Sequence, residues 1–146
     1  MTAPGFTLRP ARIEDAAEIA RLSTELGYPA SAAGMTPRLR SVLDDPKHHV
    51  VVAAAGDGLL GWIGLERRLS LEGGERAEIV GLVVDARSRR AGVGAALTQR
   101  AERWARELGY DQLVVRSNAA RIESHPFYEK HGYVRRKTSH VYFKQL

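Results

Sequence analysis

Apolar residues along this chain change repeatedly between helical spacing and strand-like runs. Residues 14–27 carry apolar side chains at helical spacing and end on Gly27, which predicts a helix with a glycine cap. Thr36 and Pro37 indicate the start of a second short helix, because proline suits the first helical turn. Residues 93–108 form one long apolar stripe that is closed by a further glycine. The pattern therefore predicts two short helices near the N-terminus and one long helix later in the chain.

The segments between these helices predict strands that are joined by glycine turns. Residues 49–55 and 59–65 flank a glycine-rich hairpin signal at residues 56–58. A pair of glycines at residues 73–74 makes the next turn, into a strand over residues 75–84. We expect these three strands to be antiparallel.

Further short elements are predicted towards both ends of the chain. They are strands at residues 6–10, 112–116, 133–134 and 141–144, and a short helix around Phe127 and Tyr128 that ends near Gly132. The predicted fold class is α/β (α+β), with a mixed, mostly antiparallel central sheet of six to seven strands flanked by about four helices. The strands on either side of the long helix are expected to be parallel or splayed.

The composition restricts the kind of protein without identifying its function. A chain of 146 residues suits one domain, residues 1–146, and the lack of cysteine excludes a disulfide framework, a thiolate nucleophile and a cysteine-based zinc site. The N-terminus lacks a secretion signal, and no apolar run approaches the length of about 20 residues that a membrane span needs. We therefore expect a cytoplasmic protein that does not associate with membranes.

The formal net charge of +5 favours anionic partners. The basic residues are scattered except for Arg87, Arg89 and Arg90, which cluster beside two glycines. A nucleic-acid binder would use the same arginines, but the sequence has neither zinc-finger spacing nor an aromatic RNA-binding strand. Its five histidines form no metal-ligand pattern. A small anion is therefore expected as the partner, with no nucleic acid and no metal.

The most informative motif joins the strand that ends at residue 84 to the long helix. It reads Arg89-Arg90-Ala91-Gly92-Val93-Gly94. Such a loop points backbone N–H groups, the positive end of a helix dipole and guanidinium groups at one place, which is what a pyrophosphate requires. Taken alone, the loop is an anion site of a kind that many nucleotide-binding proteins share.

Together, the motifs resemble the general N-acetyltransferase (GNAT) superfamily over essentially the whole chain. They are Arg89-x-x-Gly92-x-Gly94, which is similar to the acyl-CoA signature, the strand that ends at Asp85, Asn118 after the next strand, and Phe127-Tyr128-x-x-x-Gly132-Tyr133. The resemblance implies the GNAT acyl-CoA N-acyltransferase fold and an enzyme that moves an acetyl group from acetyl-CoA, its cosubstrate, to a primary amine. Since no cysteine can carry an acyl group, direct attack in a ternary complex is expected.

The resemblance also implies which residues bind acetyl-CoA. Backbone N–H groups of the glycine loop would bind the pyrophosphate, with Gly92 allowing close approach. The pantetheine arm would lie along the fourth strand like an added strand. Asn118 would bind the pantetheine or a water, unless it is only a turn residue. The implied contacts are Leu82, Val83, Val84, Arg89, Arg90, Ala91, Gly92, Val93, Gly94, Ala95, Asn118 and Tyr128.

Two residues are implied in catalysis, and each has a structural alternative. Glu78 matches a catalytic glutamate of many family members, and by simple alternation it shares a strand face with Val80, Leu82 and Val84. The alternatives are a carboxylate that faces solvent or pairs with an arginine, and a water relay as the base. Tyr128 matches the general-acid tyrosine, whose phenol would protonate the leaving thiolate, and its alternative is ordinary core packing.

Gly81 interrupts an otherwise β-branched strand next to these residues. A glycine in a strand indicates a bulge or a close backbone approach, which here would open the gap where the thioester enters. The alternative is a glycine that makes room for a bulky neighbour across the sheet.

The acceptor is not identified by the sequence. The resemblance places it against the first two helices and their loop, residues 26–35, where Glu25 and Tyr28 are candidate contacts. Small molecules and peptides both stay open, because the fold alone does not select a substrate. A non-catalytic acyl-CoA-binding module is the alternative function. A homodimer is a habit of the family that no motif in this chain determines.

Overall fold

The computed structural model of the chain describes residues 5–88, 91–117 and 125–146, and within them it has five strands and four α-helices. In chain order these are β1 Thr7–Pro10, α1 Ala16–Glu25, α2 Ala32–Asp44, β2 His48–Ala55, β3 Gly58–Ser70, β4 Gly74–Val84, α3 Val93–Glu107, β5 Leu113–Val115 and α4 His125–Lys130. The order agrees with the predicted one as far as α4. The chain divides into two compact units, Met1–Val115 and Arg116–Leu146, so all five strands belong to the first unit and α4 to the second.

The strands form one sheet in the order β1-β2-β3-β4-β5. The pairs β1–β2, β2–β3 and β3–β4 are antiparallel, whereas the pair β4–β5 is parallel. Short turns explain the antiparallel pairing of β2 with β3 and of β3 with β4: for example, Ala55 pairs with Gly58 across a two-residue loop in which Gly56 has φ +58°. A helical crossover through α3 explains the parallel pair. The mixed, mostly antiparallel sheet is confirmed, with five strands among the described residues rather than six to seven.

The two faces of the sheet carry separate apolar cores. One face, here called the α1 face, is covered by α1 and α2, and the other, the α3 face, is covered by α3. Buried residues include Leu22, Leu39, Val50, Val52 and Val83 in the first core, and Val51, Ile63, Leu65, Ile79 and Leu97 in the second. Successive residues of β2 alternate between the two cores, as the strand period requires.

The second helix begins earlier than Thr36 and Pro37 predict. Ser31 is the N-cap of α2, and its hydroxyl accepts a hydrogen bond from the Gly34 backbone N–H at 3.0 Å. Pro37 therefore lies inside the helix. The prediction was wrong because a capping serine satisfies a first-turn N–H group, whereas a proline only lacks one.

The last two predicted strands, at residues 133–134 and 141–144, do not form within the described residues 125–146. Val134 and Val141 are 86% and 93% exposed. A strand requires a partner for its backbone N–H and C=O groups, and an apolar run does not by itself supply one. Three consecutive cations at residues 135–137 also interrupt the apolar pattern.

The long helix α3 lies close against the sheet because Gly61 leaves room for it. A Cβ atom at Gly61 would lie 2.7 Å from the Val83 carbonyl oxygen, 3.1 Å from Val93 Cγ1 and 3.3 Å from Leu97 Cδ1. A side chain there would push the first turns of α3 away from β4. Among the helices of the described segments, neither α3 nor any other has the length and apolar character needed to cross a membrane.

Candidate active site where strands β4 and β5 part

Strands β4 and β5 stay paired over only three residues. Ala77, Glu78 and Ile79 pair with residues 113–115 of β5. Further along β4, residues 80–84 have β3 on one side and no strand of the described residues on the other. An open strand edge of this kind presents backbone groups that an extended ligand can bind as an added strand. The splay that was predicted around the long helix is therefore present.

A β-bulge at Val80 marks the place where the two strands part. Gly64 pairs with Gly81 and Leu65 pairs with Ile79, so that Val80 is the extra residue. An extra residue reverses the alternation of side chains for the rest of the strand.

This reversal corrects the strand face that simple alternation predicts for Glu78. Leu82 and Val84 pack with Ile79 on the α3 face, whereas Val83 packs on the α1 face. Glu78 precedes Ile79 directly and so points to the α1 face, together with Val83 and not with Leu82 or Val84. The prediction was wrong because a count by twos does not detect an inserted residue.

Gly81 combines two of the roles that its sequence position allowed. It follows the bulge directly, and it also makes room for a bulky neighbour, since a Cβ at Gly81 would lie 2.8 Å from both Cζ3 and Cη2 of Trp62. A Cβ at the opposed Gly64 would lie 3.5 Å from Trp62 Cζ3. The indole ring of Trp62 therefore packs directly over the backbone of Gly64 and Gly81, beside the point where β4 and β5 part.

The glycine loop leads into α3 as predicted. Gly92 is the N-cap of the helix and has φ +83°, a left-handed conformation that glycine adopts without strain. No described side chain caps the helix at this position. The N–H groups of Val93, Gly94 and Ala95 lie in the first turn, where an α-helix offers no carbonyl partner. With the positive end of the helix dipole, they make a position suited to an anion at the end of β4.

Three of the predicted CoA contacts, Arg89, Arg90 and Asn118, lie outside the described residues. Ala91 continues the loop towards α3, and its N–H donates to the Ser88 carbonyl at 3.1 Å. The predicted strand contacts at residues 82–84 all lie on the open half of β4. Along the chain, the open edge of β4 at residues 80–84 is thus followed by the first turn of α3 at residues 93–95, where an anion could bind.

Glu78 is buried on the α1 face directly before the bulge, with only 2% of its surface exposed. Its Oε2 lies 3.4 Å from Arg68 Nη1, and its Oε1 lies 3.4 Å from Arg76 Nε. Directly across the strand pair lies Glu66, whose Oε2 is 3.2 Å from His48 Nε2. Glu78 therefore does not face solvent, and the arginine pairing that was its other structural alternative is present.

Asp85, at the end of β4, is a second buried carboxylate with arginine partners. Arg87 donates to it from its backbone N at 2.9 Å, from Nη2 at 3.1 Å and from Nε at 3.3 Å, and Arg21 of α1 approaches to 3.4 Å. The hydrogen bonds from Arg87 lower the pKa of Asp85 to about 2. Arg21 also binds Glu18 and Glu25 on its own helix. This network ties α1 to the end of β4 and to the start of the glycine loop.

The two predicted acceptor contacts lie near the C-terminal end of α1. Glu25 pairs with Arg21 and so belongs to the network around Asp85. Tyr28 is 53% exposed, and its backbone N–H donates to the Ser23 carbonyl at 2.9 Å. Both side chains belong to the segment where the acceptor was expected.

Tyr128 lies on α4 in the second unit, inside an aromatic cluster. Its ring meets that of Phe127 edge-on at a centroid distance of 5.3 Å and that of Tyr133 at 5.8 Å. The Tyr128 carbonyl also accepts a hydrogen bond from the Tyr133 N–H at 3.0 Å. Aromatic packing, the structural alternative for this residue, is therefore present within the unit, and the general-acid role stays a prediction.

Sequence reasoning missed Arg21, Arg68 and Arg76. Arginines on an amphipathic helix or near a strand end are typical of solvated faces, and only the strand register brings Arg68 and Arg76 to Glu78. It also missed Gly61, although a glycine inside a strand is a signal of close approach. Within the segments that the structure describes, no group of three or more side chains could hold a metal ion.

Comparison with known families gives one match. The model of the Acetyltransferase (GNAT) family matches residues 13–133, a range that contains Glu78, the glycine loop and Tyr128. Comparison with curated proteins gives no match.

Solved structures share the fold at low sequence identity. An aminoglycoside 6'-N-acetyltransferase from Acinetobacter haemolyticus matches with a TM-score of 0.83 and 17% identity, over 96% of this chain and 99% of that one. An acetyltransferase from Trypanosoma brucei matches with a TM-score of 0.78 and 23% identity, over 95% and 99%. An aminoglycoside N-acetyltransferase in complex with CoA matches with a TM-score of 0.85 and 15% identity, over 97% and 95%. At these identities the likeness establishes the fold.

Proposed function

Because the chain belongs to the Acetyltransferase (GNAT) family, we propose that it transfers an acetyl group from acetyl-CoA to the primary amine of a small molecule or peptide, by direct attack in a ternary complex. The observation that carries the proposal is the start of α3, where Gly92 leads into uncapped first-turn N–H groups at the end of the open edge of β4. Residues 1–146 would act as one N-acetyltransferase domain. The family match, which runs through both compact units, supports this.

Acetyl-CoA has a pyrophosphate and an extended pantetheine arm, and the site suits both. The first-turn N–H groups of α3 suit the pyrophosphate, and Arg89 and Arg90 stand just before them in the sequence. The backbone of Leu82, Val83 and Val84 suits the amide groups of the pantetheine arm, because it borders the open edge. An arm that follows this edge from α3 reaches the bulge and Glu78.

The reaction requires a neutral amine and a proton donor for the leaving thiolate. A lysine-like amine with a pKa of about 10.4 loses its proton at a cost of roughly 4 to 5 kcal/mol at pH 7. We assign Glu78 as the base, directly or through a water, because it is a buried carboxylate beside the bulge. We assign Tyr128 as the proton donor and Asn118 as a contact for the pantetheine or a water. The family resemblance of their motif supports these two assignments.

The acceptor is assigned to the end of α1 and the α1–α2 loop, with Glu25 and Tyr28 as contacts. Two of the structural neighbours are named for N-acetylation of aminoglycosides, which are amines. These names support a primary amine as the acceptor class. They do not select one amine for this chain.

A pair of variants at Gly92 tests the CoA site. Asp and Asn both tolerate a left-handed backbone better than other side chains, so Gly92→Asp and Gly92→Asn differ chiefly in charge. We expect the dissociation constant for CoA, measured by titration calorimetry, to be about tenfold or more higher for the Asp variant, because its charge repels the pyrophosphate. Gly109→Asp, at a glycine with φ +90° just beyond the other end of α3, should bind CoA as the unchanged protein does.

Two outcomes would contradict the proposal at different steps. Equal CoA affinity of the Asp and Asn variants would show that the start of α3 is not the pyrophosphate site. Tight CoA binding without release of free CoA thiol, for any primary amine in a broad panel, would show that the chain is an acyl-CoA-binding module and not a transferase.

A further inference from the structure

Two arginines lie opposite each other next to Glu78. Arg68 on β3 pairs directly with Arg76 on β4, one position beyond the pair of Glu66 and Glu78 on the same face. Like charges directly opposite in a sheet are destabilising unless a counter-charge lies between them. Glu78 supplies one carboxylate to both guanidinium groups. These three side chains carry a net charge of about +1, and Glu66, directly opposite Glu78, adds a second carboxylate to the same face.

Towards the described residues, the two guanidinium groups use few of their N–H donors. Each has five N–H donors in a planar fork. Arg68 donates to Glu78 at 3.4 Å, and Arg76 Nε is buried without a hydrogen-bond partner among the described residues, because its approach to Glu78 lacks hydrogen-bond geometry. The side chains are 47% and 28% exposed, so a small molecule can reach them.

Among the described residues, other charged side chains, including Lys47, surround these two arginines. Arg67, their neighbour on the α3 face, is already paired with Glu75 and Tyr110. Glu66 Oε2 lies 3.2 Å from His48 Nε2, and this contact is an ion pair only when His48 is protonated. An open depression of about 690 Å³ adjoins Arg68 and is lined by Lys47, Glu66, Arg67, Arg68, Leu69 and Glu75.

We propose that the amine acceptor also carries a carboxylate, as an amino acid does, and that Arg68 and Arg76 bind this carboxylate while the amine lies at Glu78. The inference rests on the proposed function. Guanidinium forks match carboxylates with two parallel hydrogen bonds, which gives affinity as well as orientation. Arg76 Nε lies 3.4 Å from Glu78 Oε1, so an acceptor that contacts both side chains has its amine and its carboxylate close together. A polycationic aminoglycoside would instead bring positive charge against both arginines.

Matched acceptors test the proposal on the unchanged protein. Each common amino acid that has a primary α-amine is compared with its amide and with the amine that lacks the carboxylate, and sisomicin represents aminoglycosides. Release of free CoA thiol measures turnover, and titration calorimetry on the CoA-loaded protein measures binding. At least one amino acid should exceed its amide in kcat/KM by about tenfold to a hundredfold, which corresponds to one charge-assisted bidentate contact.

Variants of Arg68 identify the group that recognises the carboxylate. Arg68→Gln should lower the ratio of kcat/KM for the amino acid to kcat/KM for its amide by about tenfold or more, because this ratio cancels any effect that the lost cation has on Glu78. Arg68→Lys should restore part of the loss, because it keeps the charge but not the fork. Arg106→Gln, at a 73% exposed arginine in the last turn of α3, is the control and should behave as the unchanged protein. Urea unfolding of each variant establishes that it is folded.

The outcomes separate this inference from the proposed function. Turnover of amides or sisomicin as fast as of amino acids, or an Arg68→Gln variant that treats acid and amide alike, would overturn carboxylate recognition and leave the transferase proposal standing. Amino acids that bind through Arg68 without any release of CoA thiol would support recognition and overturn the transferase. A protein that neither binds nor acetylates amino acids would overturn the inference outright.

Discussion

Glu78 and Asp85 lie on either side of the bulge in β4, and their surroundings look alike at first. Each is 2% exposed, and each has two arginine side chains within 3.4 Å. They differ in how those arginines bind. Asp85 accepts three hydrogen bonds from Arg87 between 2.9 and 3.3 Å. Arg68 and Arg76 both lie 3.4 Å from Glu78, at the long end of the hydrogen-bond range.

Burial and contact with arginine therefore do not by themselves distinguish a structural carboxylate from a candidate catalytic one. Asp85 is held by a residue two positions away, in a turn that begins the glycine loop. The arginines near Glu78 come from two different strands and meet it only through the register of the sheet. We therefore expect loss of charge at Asp85 to affect stability most, and loss of charge at Glu78 to affect turnover most.

The largest expected effect is on turnover by Glu78→Gln. If Glu78 is the base, kcat at saturating acetyl-CoA and amine should fall by about 10² to 10⁴-fold, the usual contribution of general-base catalysis. Asp85→Asn should lower kcat less than about tenfold, because it removes no group from the reacting atoms. Release of free CoA thiol measures both. An equal and small loss of kcat in the two variants would mean that Glu78 does not take the proton from the amine, either directly or through a water.

For stability we expect the opposite order, with Asp85→Asn having the larger effect of the two variants. Asp85→Asn should lower the free energy of unfolding by about 2 kcal/mol, because it weakens several charge-assisted hydrogen bonds that are partly screened by solvent. Glu78→Gln should cost less than this because its arginine contacts are longer, even though Arg68 and Arg76 then lose the carboxylate that lies between them. Urea unfolding followed by circular dichroism measures both. If Glu78→Gln proves the more destabilising variant, Glu78 is chiefly a structural ion-pair partner.

The smallest effect is a loss of stability in acid. The hydrogen bonds from Arg87 lower the pKa of Asp85 to about 2, and those from Arg9 lower the pKa of Asp15. In the unfolded chain these carboxyls take up a proton near pH 4, whereas the folded protein keeps Asp85 charged down to about pH 2. The Asp85 contribution to stability is therefore fully present above about pH 5 and declines towards pH 2, by roughly 1 to 2 kcal/mol after screening.

Urea titrations at pH 6, 4 and 3 check this decline. Asp85→Asn should show a shallower dependence on pH than the unchanged protein, because it lacks one of the depressed carboxyls. Parallel pH profiles for the two proteins would contradict the assignment of Asp85 as the tightly held carboxylate.

The elements of the first unit were largely predictable, because each depends on local physics. The stripe from residue 93 onwards became α3, and its glycines at both ends have the positive φ angles that such positions require. The hairpin between β2 and β3 followed from its glycine turn. The start of α2 after Ser31 was missed because Pro37 also suits a first helical turn. The helix begins earlier since the Ser31 hydroxyl accepts a hydrogen bond from the Gly34 N–H.

The candidate site was predictable only in part. The glycine loop and the position of Glu78 in a strand could be inferred from residues that are close in sequence. The bulge at Val80 could not, because it depends on how Gly64 and Gly81 pair across β3 and β4. Trp62 covers both of those glycines, and a side chain from another strand is invisible to a pattern within one strand.

Most helices and turns, the glycine loop and the family could be inferred from the amino-acid sequence, because hydrogen bonds within a helix or turn involve residues a few positions apart. The direction in which Glu78 faces, the place where β4 and β5 part and the arginines beside each carboxylate depend on the folded structure. These features arise from cross-strand register, which joins residues far apart in the chain and shifts by a whole face when one residue is inserted.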